Sequence, residues 1–462
     1  MPNKPIALFL FSLIFFKLIA IYYTNFSLYG DEAQYWLWSQ ELDFGYYSKP
    51  PLLAWFLNLY ANIFGSSFIS LKIFPIIVYF FISLGVYFLC LSLSFNKKNS
   101  WLCAASFMII PAASLSSFLI STDLLLLLFW LMSMIVLLNI IRANHTFSFV
   151  LLGLFLGLAF LAKYAAIYFF LGLFLLLLVD KKTLSSFKGN PAGVVAFLFS
   201  FLLVLAPNIW WNFNNGWITV SHTTDNANLQ NLNLNFYEPF KFLGAQIVMV
   251  SPFLFISFVY FLKNFRLDFE NKFLLIFSFP ILFIVLLESF LVRANANWAA
   301  PALISVFILM FRMVVSKKLS LIKINFVFNY FIALVLFSLI LISSNNSVFK
   351  RISQVDSFVI ELLEIIKDKD LVISDRLIFS SISYEMRQNP NNIYMPYKTN
   401  TDITNHFQMS APLKKNRKDG FFLIGSLDDV SYLTKKHRGE LIKNFNVPFS
   451  SQKLKLYEIT FK

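Results

Sequence analysis

The sequence predicts a polytopic α-helical membrane protein that ends in a small soluble α/β domain. Three observations lead there. Of 462 residues, 58% are apolar and only 13% charged, with a mean hydropathy of +0.68, whereas soluble domains carry about a quarter charged residues. Apolar runs long enough to cross a bilayer, about 20 residues each, recur along most of the chain. After Ser343 the composition turns polar.

The runs fall at 5–24, 69–94, 101–120, 123–141, 191–209, 241–262, 273–292, 297–315 and 324–343, with a further apolar stretch at 147–179 interrupted only by Lys163-Tyr164. The first run is long for a signal peptide, Lys17 interrupts it and no small-x-small cleavage pattern follows, so an uncleaved first span is expected. Lys97, Lys98, Arg142, Lys181, Lys182, Lys188, Lys263, Arg266, Lys272, Arg312, Lys317, Lys318 and Lys323 occupy alternate loops. The segments 25–68 and 210–240, by contrast, contain little positive charge. Because cytoplasmic loops concentrate Lys and Arg, Arg142 and Lys181 belong on one side, and 147–179 has to cross twice, turning near Lys163. About eleven spans follow, with the N-terminus inside and the C-terminus outside.

The net charge of +14 raises the question of a nucleic-acid partner. The basic residues are scattered over short loops and the tail without an aromatic-basic groove, so none is expected. Cys90 and Cys103 lie inside apolar runs, so neither a disulfide framework nor a cysteine metal site is readable. The expected division is a transmembrane domain at 1–344, with an external loop at 25–68, and an external α/β domain at 345–462.

The external loop concentrates the chemistry. Tyr29-Gly30-Asp31-Glu32-Ala33-Gln34-Tyr35-Trp36-Leu37-Trp38 begins a predicted helix over 31–41, whose first turn carries Asp31 and Glu32 where the helix dipole favours anions. Asp31, Tyr35 and Trp38 share one face. Read blandly, Asp31 is only a helix cap. Pro50-Pro51 stops further helix, and 52–64 forms a second amphipathic piece with Trp55 as an interfacial anchor. With the span count above, Asp31, Glu32, Lys49, Asp123, Lys163, His222 and Arg293 all reach the non-cytoplasmic face. Ionisable residues at a bilayer are functional candidates by default. His222, alone in an Asn-rich loop, reads more simply as a solvated residue than as a ligand.

In the tail, 371–374, 392–395, 421–424 and 454–459 read as strands, and 356–367, 376–387 and 428–443 as helices. Neither a phosphate-cradling glycine loop nor a nucleophile elbow is visible.

Asp31-Glu32-Ala33-Gln34-Tyr35-Trp36-Leu37-Trp38, followed by Gly45-Tyr46-Tyr47-Ser48-Lys49-Pro50-Pro51-Leu52, resembles the bacterial members of the protein-O-mannosyltransferase-like superfamily, which includes lipid A aminoarabinosyltransferases. Ser121-Thr122-Asp123, the run Gly157 to Tyr164, the run Asn212 to Trp217 and Ala296-Asn297-Trp298-Ala299-Ala300-Pro301 resemble the family in the same order. The resemblance implies a GT-C type glycosyltransferase of the bacterial inner membrane. It would move one sugar, with inversion, from a polyprenyl-phosphate donor to a lipid or glycolipid acceptor such as lipid A on the periplasmic face. It implies Asp31 and Asp123 as catalytic carboxylates, with Glu32, Tyr35, Lys49, Lys163, His222 and Arg293 binding substrate. A positioned Lys or Arg can neutralise a single departing lipid phosphate, so neither metal nor cofactor is required. The competing expectation is a lipid-linked sugar flippase, which would carry midplane ionisable groups, internal repeats and broken helices.

Overall fold

The computed structural model describes residues 4–227, 234–342, 349–388, 392–398 and 401–461. Among them, seven helices are long and apolar enough to cross a membrane: Ile6–Tyr23, Phe68–Ser92, Thr122–Ala143, Pro191–Asn214, Phe269–Leu291, Ala296–Lys317 and Leu319–Ile342. Two bent pairs raise the count to nine if each is one span. The chain is a multi-pass membrane protein, and by length and composition its described residues hold seven to nine spans where the loop charges predict eleven.

The difference has local causes. The run expected at 101–120 is Lys97–Met108 and a short Pro111–Ser116 helix, because Pro111 has no N–H to continue the ladder. The stretch 147–179 does break at Lys163, which is extended at φ −160° and ψ 133° between Thr146–Ala162 and the following turn. At 17 residues Thr146–Ala162 reaches about 25 Å, short of a straight crossing. The run 241–262 is bent by 97° between Glu238–Val250 and Pro252–Asn264. Ser251 stands at φ 129°, and the proline after it disfavours helical backbone there.

The chain divides into two compact units. Met1–Ile19, Lys49–Leu53 and Ser70–Phe337 form the first; Ala20–Ser48, Ala54–Ile69 and Ser338–Lys462 form the second. In the first, Gly153 and Gly157 let Thr146–Ala162 lie against Pro191–Asn214. A Cβ on Gly153 would fall 2.0 Å from Ser200 Oγ, and one on Gly157 would fall 2.8 Å from Val204 Cβ. Small residues four apart are the device by which membrane helices, lacking a hydrophobic drive between them, gain close van der Waals packing. Trp130 is fully buried edge-on to Phe169 at 5.1 Å, and Phe169 meets Phe277 at 4.8 Å.

The second unit contains a five-stranded sheet of β1 (Leu371–Ile373), β2 (Ile393–Tyr394), β3 (Phe421–Ile424), β4 (His437–Phe445) and β5 (Leu454–Phe461), in the order β2-β1-β3-β5-β4. β1 is parallel to β2 and β3, and β5 is antiparallel to β3 and β4. Leu371, Ile373, Phe422 and Ile424 pack one face against Leu362, Ile366 and Ile382 of the helices Val355–Ile366 and Arg376–Glu385, while Val372, Leu423 and Ile459 point to the other. The helix expected at 428–443 is instead a 3-10 turn, Leu427–Val430, followed by β4. Gly439 explains this: a Cβ there would lie 2.3 Å from Leu427 and 3.2 Å from Ile459, so the residue is fitted to close pairing with β5.

Candidate active site

The helix Gly30–Gln40 starts one residue before the expected position, and Gly30 sets its contact with Arg376–Glu385. A Cβ on Gly30 would lie 2.8 Å from Leu377 Cβ. That approach carries Arg376, the first residue after the cap Asp375, onto the Asp31 side chain. Arg376 Nη1 donates to Asp31 Oδ1 at 2.9 Å and to Gln34 Oε1 at 2.5 Å. Asp375 holds the turn by accepting from the N–H groups of Leu377 and Ile378. The side chains of Arg376 and Asp31 remain 36% and 40% exposed, so the pair is open to solvent.

Its neighbours have different tasks. Glu32 is buried and its Oε2 accepts the Tyr29 N–H at 2.9 Å, satisfying an amide at the helix start. Tyr35 is buried, edge-on to Trp38 at 5.4 Å. Trp38 stacks flat on Tyr46 with centroids 4.6 Å apart, and His406 approaches both rings edge-on at 5.4 Å. The Tyr46 hydroxyl donates to the Trp38 carbonyl at 2.9 Å. Burial pushes the Tyr46 phenol well above its usual range and lowers His406 to about 4.

In the first unit, Asp123 opens the helix Thr122–Ala143. Its Oδ1 accepts from Lys163 Nζ at 2.7 Å, with the two side chains 14% and 16% exposed, and its Oδ2 accepts from Asn297 Nδ2 at 3.2 Å. Asp123 is therefore held by two partners from distant helices. Beside Lys163, the Tyr164 hydroxyl donates to Asn208 Oδ1 at 3.0 Å and accepts from Asn212 Nδ2 at 3.2 Å. Four segments singled out in the sequence thus converge: Ser121-Thr122-Asp123, Lys163-Tyr164, Asn212 and Ala296-Asn297. Lys49 is half-buried after the loop, His222 lies beside Asn226 at 3.1 Å on the helix Ile218–Ala227, and Arg293 is exposed after Phe279–Leu291.

Residues 48–211 match the family described as dolichyl-phosphate-mannose-protein mannosyltransferase. The lipid A galacturonosyltransferase RgtD of Rhizobium johnstonii is 30% identical over 294 residues, which are 63% of this chain and 61% of that protein. The chain is matched over about three fifths of that relative's length. ArnT from Cupriavidus metallidurans superposes with a TM-score of 0.68 in its apo crystal structure, at 11% identity, and 0.69 in the structure bound to undecaprenyl phosphate, at 10% identity. Both superpositions cover 99% of this chain and 98% of the other. The chain has the fold of ArnT. The Asp123 cluster falls inside the residues of the family match, save Asn212 and Asn297. Sequence reasoning missed Arg376, a lone Arg behind a helix cap, whose relation to Asp31 no local pattern records. Asn297 lay in a motif that was noticed, yet its bond to Asp123 spans 174 residues.

Proposed function

We propose that this protein is an inverting glycosyltransferase that moves a single sugar from a polyprenyl-phosphate donor to lipid A or a related envelope glycolipid. The reaction takes place at the periplasmic face of the inner membrane. The chain crosses eleven times when the seven long helices are joined by Lys97–Met108 with Pro111–Ser116, Thr146–Ala162, the helix after Lys163, and the bent pair Glu238–Val250 and Pro252–Asn264. The observation that carries the reading is the Asp123–Lys163–Asn297 cluster, an ion pair at 2.7 Å in a unit made of apolar helices. One relative named as a lipid A galacturonosyltransferase, and a like fold holding undecaprenyl phosphate, support the choice of substrates.

In this mechanism an acceptor oxygen attacks the anomeric carbon on the face opposite the phosphate. The carbon–oxygen bond to phosphate breaks, and its electron pair stays on the departing polyprenyl phosphate. Lys163, with Lys49 and Arg293, stabilises that growing negative charge. Asp123 and Asn297 aim Lys163. Asp31, steered by Arg376, takes the proton when the acceptor is a hydroxyl; when the acceptor is already a phosphate anion no proton moves, and Asp31 orients the sugar. Glu32 and Tyr35 support the Asp31 helix, and His222, on the helix Ile218–Ala227, contacts substrate.

One observation favours the second reading, a flippase: the 97° break at Ser251 is the kind of discontinuous helix that transporters use. Sugar transfer by purified protein in detergent separates the two, since a flippase has no activity without a bilayer. Asp31→Asn should abolish transfer to a hydroxyl acceptor at normal membrane abundance; transfer at the wild-type rate would overturn the role of Asp31.

A further inference from the structure

Two loops of the second unit, twenty residues apart in sequence, are clasped together. The Thr434 N–H donates to the Lys415 carbonyl at 3.3 Å, the Thr434 hydroxyl lies 3.2 Å from the same carbonyl and 3.3 Å from Asn416 Oδ1, and the Tyr432 hydroxyl donates to the Leu413 carbonyl at 3.0 Å. The clasp collects Lys414, Lys415, Lys418, Lys435, Lys436 and Arg438, all exposed. Arg417 does not join them. It turns inward to an ion pair with Asp370 and lies over the rings of Tyr394 and Phe421 at 5.0 and 5.6 Å, fixing the first loop to the sheet.

Four further cations of this unit are matched with carboxylates: Lys369 with Glu458, Arg376 with Asp31, Arg387 with Glu385 and Lys443 with Glu361. Among the described residues, none of the six has an ion-pair partner, although Asp419 and Glu440 are near in sequence. Six like charges held on an anchored scaffold repel one another, and a ligand bearing several anionic groups relieves that repulsion. Ammonium groups on flexible stems suit phosphates as point charges and demand no fixed fork geometry.

We propose that the face formed by 414–418 and 434–438 recognises the acceptor. Its ligand is the headgroup of a lipid-anchored saccharide bearing two or more phosphates or carboxylates. The identity of the acceptor rests on the glycosyl-transfer reading above; the anionic chemistry rests on the six cations alone.

The test uses the full chain in neutral detergent, with bisphosphorylated lipid A and the same lipid stripped of phosphate as probes. The quadruple variant Lys414→Gln/Lys415→Gln/Lys435→Gln/Lys436→Gln should bind bisphosphorylated lipid A at least about tenfold more weakly at moderate salt, with a shallower salt dependence. Wild type should bind the stripped lipid as poorly as the variant binds the intact one. In turnover, the acceptor KM should rise while the donor KM and kcat at saturating acceptor stay unchanged. Lys443→Gln, which removes a paired cation from the same sheet, should change none of these. Unaltered binding by the quadruple variant overturns the proposal, as does equal competition by phosphatidylglycerol vesicles at matched charge, which would make this a face for bulk bilayer. Phosphate-dependent binding that persists in a protein without transfer activity would uphold this site and count against the transferase reading.

Discussion

Replacing Lys163 with methionine tests the cluster most directly. At 2.7 Å, opposite unit charges attract by about 6 kcal/mol at an effective dielectric of about 20, before desolvation is subtracted. Both side chains are less than a fifth exposed, so solvent screens the pair only weakly. Lys163→Met leaves Asp123 held by Asn297 alone, and an uncompensated carboxylate in such a site costs about 3 kcal/mol of stability. On the mechanism proposed above, the same substitution also removes a cation from the departing phosphate, worth about 10²- to 10³-fold in kcat when a preorganised donor is lost. The two effects separate in the double variant Lys163→Met/Asp123→Leu. Removing both charges should recover most of the thermal stability in detergent, because no lone ion stays buried. It should recover none of the transfer activity, measured with a polyprenyl-phosphate sugar and purified acceptor lipid. A double variant that regains wild-type turnover together with stability would show that the pair is only a structural brace, and the leaving-group role of Lys163 would fall.

Arg376→Gln removes the guanidinium from Asp31 and Gln34 at an exposed position, so stability should change by less than about 1 kcal/mol, while transfer falls roughly 10- to 100-fold because Asp31 loses its orienting partner; steady-state kinetics and a melting curve on one preparation read both. His406 supplies a pH dependence. Its folded value of about 4 lies below the ordinary 6.5, so the unfolded chain binds the extra proton between those values. The stabilisation is complete above about pH 6.5 and is lost as pH falls toward 4, by up to about 3 kcal/mol. Hydrogen exchange of the β-sheet amides at pH 7.5, 5.5 and 4.5 measures it, and His406→Phe should flatten the profile; an unchanged slope in that variant would assign the acid sensitivity elsewhere.

Local pattern carried much of the fold. Lys163 marked the break in a 33-residue apolar stretch, since an ionisable residue inside hydrocarbon is tolerated only where the chain turns or pairs. β1, β3 and β5 were legible because short β-branched and aromatic runs lie between polar turns. The misread segment at 428–443 shows the limit. Its helical periodicity is weak, and what makes it β4 is a glycine opposite Ile459 and the long strand it must pair with. The bend at Ser251 was hidden in the same way, because hydropathy averages over a window and is blind to one residue at φ 129°.

The candidate site divides along the same line. Composition and motif identified Asp31, Asp123 and Lys163, because charge in an apolar chain is conspicuous and expensive. Their partners were decided by packing across hundreds of residues. Arg376 reaches Asp31 over 345 positions because Gly30 lets two helices touch, and Asn297 reaches Asp123 because separate apolar helices share one core. Sequence alone determines which residues water and lipid will reject, since transfer free energy belongs to each side chain. Which polar groups then meet depends on distances between remote elements, and only the folded chain sets those.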